Sequence, residues 1–208
     1  LSLNISQRIE TSFQNHGFRI ENVLIEGRVN CPRGELKDAV HITRGDAIMT
    51  LDLKAMQTRI EQLSWVKSAK IARHYPDTLH IDLTERTPIA LWQRHSQLAV
   101  VDENGKILDS RNVTPYRNLL LIVGDQAPLH VAELQTNLAP YTLVKSRVES
   151  AKWVGNRRWD LYLDNGVTVK LPENGMTTAI NTLENAQKND HLIDRDITAL
   201  DLRDPIRI

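Results

Sequence analysis

The stretch from Thr78 to Glu85 alternates strictly: Leu79, Ile81 and Leu83 are apolar, while His80, Asp82 and Thr84 are polar. A period of two puts the three aliphatic side chains on one face of a strand and turns the other face to water. That apolar face must be covered, and the residues before it supply the cover. Pro32 fits the first turn of a helix, where a missing N–H costs nothing, and Leu36, Ala39 and Val40 then form an apolar face. Gly45-Asp46 breaks the chain. Asp52 can cap a second helix, whose Leu53, Met56, Ile60 and Leu63 recur at helical spacing. Val66 to His74 reads as a strand leading into the turn Tyr75-Pro76-Asp77. Phe18 to Gly27 reads as an earlier strand, with Val23 and Ile25 alternating against Asn22, Leu24 and Glu26. The order β-α-α-β-β is a compact unit with one buried sheet face and two helices to cover it.

Outside this unit the texture differs on both sides. Ile5, Ile9 and Phe13 recur every fourth residue, which predicts a helical segment over residues 1–17. After Pro88 hairpins dominate. Leu98 to Val101 and Lys106 to Leu108 flank Asn104-Gly105, a strong turn signal. Trp159, Leu161 and Leu163 alternate with Asp160, Tyr162 and Asp164, and Asn165-Gly166 turns the chain into Val167, Val169 and Leu171. A helix is expected from about Pro128 to Lys145, with Val131, Leu134 and Leu138 on one face and Pro140 kinking or ending it. Another is expected from about Met176 to Asn189, carrying Ile180, Leu183 and Glu184. Ile197 to Ile208 looks extended. The expected class is α+β: residues 18–86 form the β-α-α-β-β unit, and residues 87–208 form a mixed domain around a largely antiparallel sheet.

The 208 residues carry 26 Lys+Arg against 26 Asp+Glu, so the chain lacks the basic surplus of a dedicated nucleic-acid binder. One cysteine, Cys31, forms neither an internal disulfide nor a thiolate metal cluster, and a small buried thiol is expected. The longest aliphatic run, Leu119 to Val123, falls far short of the roughly 20 residues that span a bilayer. The chain starts at Leu1 rather than methionine, and a fragment of a longer gene product is expected.

Catalytic signatures are missing. Seven histidines, His16, His41, His74, His80, His95, His130 and His191, have no metal-ligand spacing such as H-E-x-x-H. His80 and Asp82 share one side of a strand, an arrangement that can orient an imidazole or form a solvated polar face. No nucleophile elbow, Walker loop or dinucleotide fingerprint occurs, and Cys31 has no base near it in sequence. Arg44-Gly45-Asp46 spells an adhesion tripeptide where a turn between helices needs glycine, and the turn is the expected role.

Val23-Leu24-Ile25-Glu26-Gly27, then Gly45-Asp46, then Leu63-Ser64-Trp65-Val66 and Tyr75-Pro76-Asp77-Thr78-Leu79 together resemble a POTRA domain. The continuation Glu85-Arg86-Thr87-Pro88-Ile89-Ala90-Leu91-Trp92, with Val101-Asp102-Glu103-Asn104-Gly105 and Ala199-Leu200-Asp201-Leu202-Arg203, is similar to the extracytoplasmic part of the FtsQ/DivIB cell-division proteins. That resemblance implies a POTRA domain followed by a β-domain in the periplasm. It also implies a single-pass inner-membrane protein whose cytoplasmic tail and transmembrane helix precede Leu1. The family implies no catalysis and no cofactor. It implies a divisome scaffold that binds FtsB and FtsL directly and bears on the septal synthase FtsW–FtsI through them. Other division proteins would be met through the POTRA unit.

Carried over residue by residue, the partner edge would comprise Arg203, Asp204, Ile206 and Ile208 at the end of the chain, with Arg157, Arg158 and Trp159 beside it. Guanidinium groups suit this role because they bind carboxylates bidentately. Arg157 and Arg158 read equally well as a solvated hairpin shoulder. In the POTRA unit the corresponding contact candidates are Ala69, Ile71 and Arg73, which are also ordinary core and surface positions of a strand. The family's last strand usually runs further than Ile208, and its aromatic residue after D-L-R is replaced here by Asp204. Two other classes remain open at this stage. One is a POTRA protein of outer-membrane assembly or secretion, whose barrel strands are missing from this sequence. The other is a small periplasmic hydrolase of the cell wall.

Overall fold

The computed structural model describes residues 18–204. The helical segment expected over residues 1–17, and Ile206 and Ile208 of the expected partner edge, lie outside the described residues. The chain divides into two compact units, one reaching to Arg86 and the other starting at Thr87.

The first unit contains β1 (Asn22–Glu26), α1 (Arg33–Val40), α2 (Leu53–Glu61), β2 (Val66–His74) and β3 (Thr78–Glu85), with the strands in the order β1-β3-β2. β1 runs parallel to β3, since two helices intervene between β1 and the β2–β3 hairpin; β2 and β3 pair antiparallel. Leu79, Ile81 and Leu83 are buried, as their alternation requires, together with Leu36, Val40, Met56, Ile60, Trp65 and Val66. Asp52 caps α2, its Oδ1 accepting the Ala55 amide at 2.9 Å. Cys31 is fully buried and free, and burial pushes its thiol up to about 11. Arg44-Gly45-Asp46 is a turn: Asp46 Oδ2 accepts the Thr43 amide at 2.8 Å and Arg44 pairs with Glu21.

Two features of this unit had no local sequence signal. The Glu85 carboxylate accepts the backbone amides of Val29, Asn30 and Cys31 at 2.7–3.0 Å, fastening the loop after β1 to the end of β3. The chain also approaches itself closely at Gly27, whose φ is +73° and where a Cβ would lie 1.9 Å from the Leu83 carbonyl oxygen. β1 itself is exposed along its length, Val23 and Ile25 included, and among the described residues it pairs with β3 alone.

The second unit is built on one eight-stranded sheet in the order β11-β10-β9-β8-β7-β4-β5-β6. The strands are β4 (Pro88–Arg94), β5 (Gln97–Asp102), β6 (Ile107–Asp109), β7 (Leu120–Val123), β8 (Val148–Val154), β9 (Arg158–Leu163), β10 (Thr168–Lys170) and β11 (Ala199–Asp201). The helices are α3 (Ala127–Leu138), α4 (Thr142–Lys145) and α5 (Met176–Asp190). The hairpins β4–β5, β5–β6, β8–β9 and β9–β10 are antiparallel. The pairs β4–β7, β7–β8 and β10–β11 are parallel, the last two because α3–α4 and α5 serve as their crossovers. Pro140 does end the helix, and the chain resumes as α4, whose Leu143 and Val144 amides donate to Glu184 of α5. Val131, Leu134 and Leu138 of α3 and Ile180 and Leu183 of α5 join Trp92, Ile122, Ala151, Trp159, Leu161 and Val169 in one core. The Trp92 indole N–H donates to the Gly124 carbonyl at 2.9 Å. Among the described residues no helix is long and apolar enough to cross a membrane.

Candidate protein-interaction edge

β11 is the last strand of its sheet, and among the described residues it pairs only with β10. Thr198 accepts the Thr168 amide at 3.1 Å, and the Leu202 amide donates to Lys170 at 3.0 Å, so the even-numbered peptide groups face β10. Because peptide groups alternate along a strand, those of Ala199 and Asp201 face away from it. Such an edge is a template on which another chain adds a strand.

The charges beside this edge follow the register. Asp201 stands opposite Lys170, Lys170 opposite Asp160, and Asp160 opposite Lys152, a row of alternating sign across four strands. Arg203 closes the row at the edge. Its guanidinium grips Asp201 through two nitrogens, Nε at 2.7 Å from Oδ1 and Nη2 on Oδ2. That grip lowers the Asp201 carboxyl to about 2. Both side chains are 45% exposed, so Arg203 is held in place and still reachable from solvent.

Arg157 and Arg158 have unlike surroundings although they are adjacent. Arg157 is exposed, with Nη1 3.9 Å from Glu173. Arg158 is half-buried, and its Nε stands 3.5 Å from Asp160 Oδ1. Both atoms are shielded from solvent and neither makes a hydrogen bond among the described residues. A charge-assisted bond is normally near 2.7–2.9 Å, so this pair is in contact but incompletely satisfied. Trp159, expected beside them at the partner edge, has its side chain in the core. Alternation points it to the opposite face from Arg158, where it is buried against Trp153 with ring centroids 5.1 Å apart.

Two cavities flank these residues. One, of 280 Å³, lies between the start of α5 and the end of β11 and is lined by Gly175, Thr178, Thr182, Leu202, Arg203 and Asp204, among others. The other, of 260 Å³, is lined by Arg157, Arg158, Trp153, Glu173 and Thr177, among others. Pro172, Asn174 and Gly175 line both, so Arg203 and the arginine pair open onto neighbouring hollows. A larger cleft of 820 Å³, at the first residues of β4, β7 and β8, contains none of the expected site residues. Lys152, Asp160, Lys170 and Asp201 were absent from the sequence-based set. Period-two alternation in β9 marks Asp160 as outward, but its neighbours across the sheet follow only from strand order.

In the first unit, Ala69, Ile71 and Arg73 stand opposite Leu83, Ile81 and Leu79, on the face that carries the core. Ala69 is buried. Ile71 is half-buried. Arg73 donates to the carbonyls of Ile48 at 2.8 Å and Leu51 at 2.6 Å, which fixes the segment before α2. The register gives these three side chains structural work.

Residues 18–86 match the family model for the POTRA domain, FtsQ-type, and residues 90–203 match that for the cell division protein FtsQ/DivIB, C-terminal. The cell division protein FtsQ of Rickettsia typhi is 35% identical over 188 residues, covering 90% of this chain and 70% of that protein. Its namesake in Zymomonas mobilis is 34% identical over 190 residues, covering 91% of this chain and 60% of that one. Among solved structures, the major extracytoplasmic domain of DivIB from Geobacillus stearothermophilus aligns with a TM-score of 0.37 and 18% identity, over 52% of this chain and 97% of that one.

Proposed function

The chain belongs to the FtsQ/DivIB family of cell-division proteins, and on that premise we propose that it is a non-catalytic divisome scaffold acting in the periplasm. Its β11 edge takes a strand from FtsB, with FtsL held alongside, and through this pair the scaffold bears on septal peptidoglycan synthesis by FtsW–FtsI. The observation that carries the proposal is the outer edge of β11, closed off at one end by Arg203. Main-chain hydrogen bonds along such an edge supply affinity, and side chains at its margins supply register and selectivity.

Arg203 fits a selective role because it is pre-oriented by Asp201 yet exposed. An incoming carboxylate can share the guanidinium fork without a prior search over side-chain rotamers. Arg157, whose side chain is exposed, offers further donors to an acidic segment, with Arg158 beside it on the same shoulder. The POTRA unit would meet other division proteins.

Calorimetric titration with the soluble periplasmic part of FtsB–FtsL from the same genome tests this. Saturable binding is expected, and Arg203→Ala is expected to weaken it about tenfold or more, since truncating one partner of a charge pair typically costs above 1.4 kcal/mol. A correctly folded Arg203→Ala variant with unchanged affinity would remove Arg203 from the site. No binding by the parent, or by a form extended past Ile208, would remove the FtsB–FtsL reading altogether. The chain is expected to release no fragments from purified peptidoglycan.

A further inference from the structure

We propose that the outer face of the first unit's sheet holds a divalent transition-metal ion, with zinc the best fit, between Glu26, His80 and Asp82. β1 and β3 set this up by register alone: Glu26 stands directly opposite Asp82, and Leu24 opposite His80. His80 and Asp82, two residues apart on one strand, project from the same face. Two carboxylates placed opposite each other repel, so the pairing calls for a cation between them. One candidate atom from each of the three side chains lies within 4.8 Å of the others.

The His80–Glu26 separation suits two ligands of one ion. Nε2 and Oε1 are 3.4 Å apart, longer than the roughly 2.7–2.9 Å of a charge-assisted bond. Two ligands bound to one tetrahedral zinc at about 2.0–2.1 Å lie roughly 3.3–3.4 Å from each other, which matches that gap. One imidazole and two carboxylates are a donor set that zinc accepts, with the remaining position left to water. His74 packs against His80 with ring centroids 5.1 Å apart and helps to hold the imidazole. Lys70, opposite Asp82 on β2, is the protein's own rival cation at this spot. The ion would tie the edge strand β1 to the central strand β3 beyond the hydrogen bonds of their ladder.

The test is titration of the whole chain with zinc chloride at pH 7.5 in competition with a chromophoric chelator. One ion per chain is expected, and His80→Ala and Glu26→Gln should each weaken it by at least the roughly 10–100-fold that even an outer-shell partner costs. His95→Ala, at a hairpin tip in the other unit, should bind as the parent does. Zinc should raise the thermal midpoint of the parent and of His95→Ala, and leave that of the two ligand variants where EDTA leaves it. Glu26 is exposed, so the midpoint of Glu26→Gln in EDTA should equal the parent's; His80 is half-buried against His74, and where His80→Ala shifts the midpoint in EDTA, Glu26→Gln decides. No saturable uptake by the parent, or a folded ligand variant that binds as tightly as the parent, would overturn the site.

Discussion

Glu85 shows how much one side chain can decide. Burial would raise its carboxyl, but the amides of Cys31, Asn30 and Val29 outweigh that and hold it below the usual carboxylate range. A depressed folded pKa means that the stabilisation is complete above the unfolded value, ordinarily 4.5, and is lost as pH falls through the folded one. Glu85→Gln is therefore expected to cost about 2 kcal/mol near neutral pH, the scale of hydrogen bonds to a charged group. The difference from the parent should shrink below about pH 4, read by urea unfolding at a series of pH values. Trp92 is the counterpart in the second unit: its ring is buried and its indole N–H is bound to Gly124. Trp92→Ala is expected to cost about 3–5 kcal/mol, and retained thermal stability would contradict a structural role.

At the scale of elements, edges and close approaches carry the consequences. Gly27 ends β1 where only a residue without Cβ fits against Leu83 and where φ is positive. Gly27→Ala is expected to destabilise the first unit by at least the roughly 1–2 kcal/mol of a left-handed non-glycine residue, with the steric clash added. Faster amide exchange in β1 than in β2 of the variant would show the edge strand coming away first. In the second unit, central strands were the hardest elements to see. Leu119 to Val123 is an uninterrupted aliphatic run that becomes β7, flanked by β4 and β8. A run with no polar residue in it carries no alternation, so its period does not announce a strand. β8 hid for the opposite reason, its Glu149, Ser150 and Lys152 giving it a polar look.

For the molecule as a whole, the charge balance sets how partners arrive. With 26 basic and 26 acidic residues the chain has no net field to steer a partner over long distances. Association with FtsB–FtsL is expected to be of ordinary speed, about 10⁵–10⁷ M⁻¹s⁻¹, with an on-rate that changes little between low and high salt. Arg203→Ala should act mainly through a faster off-rate, because the residue works at the contact itself. Stopped-flow measurements at two salt concentrations separate these terms, and a steep salt dependence of the on-rate would point to a charged surface other than the β11 edge.

The β-α-α-β-β unit was legible from sequence because its signals are local: strict alternation over Thr78–Glu85, an Asp52 cap, and helical spacing of Met56 and Ile60 are all written within a few residues. The hairpin turns and the helix break at Pro140 were legible for the same reason. Tertiary structure alone decided what depends on pairing between distant segments. Strand order made β11 an edge and gathered Lys152, Asp160, Lys170 and Asp201 into one row. The β2 register set Ala69 and Arg73 to structural work, and the face of β9 took Trp159 into the core while leaving Arg158 outside it. A side chain's direction follows from the period of its own strand, but its neighbours follow from which strand lies next to it. That adjacency is fixed by burial of the whole sheet against its helices, which no short stretch of sequence contains.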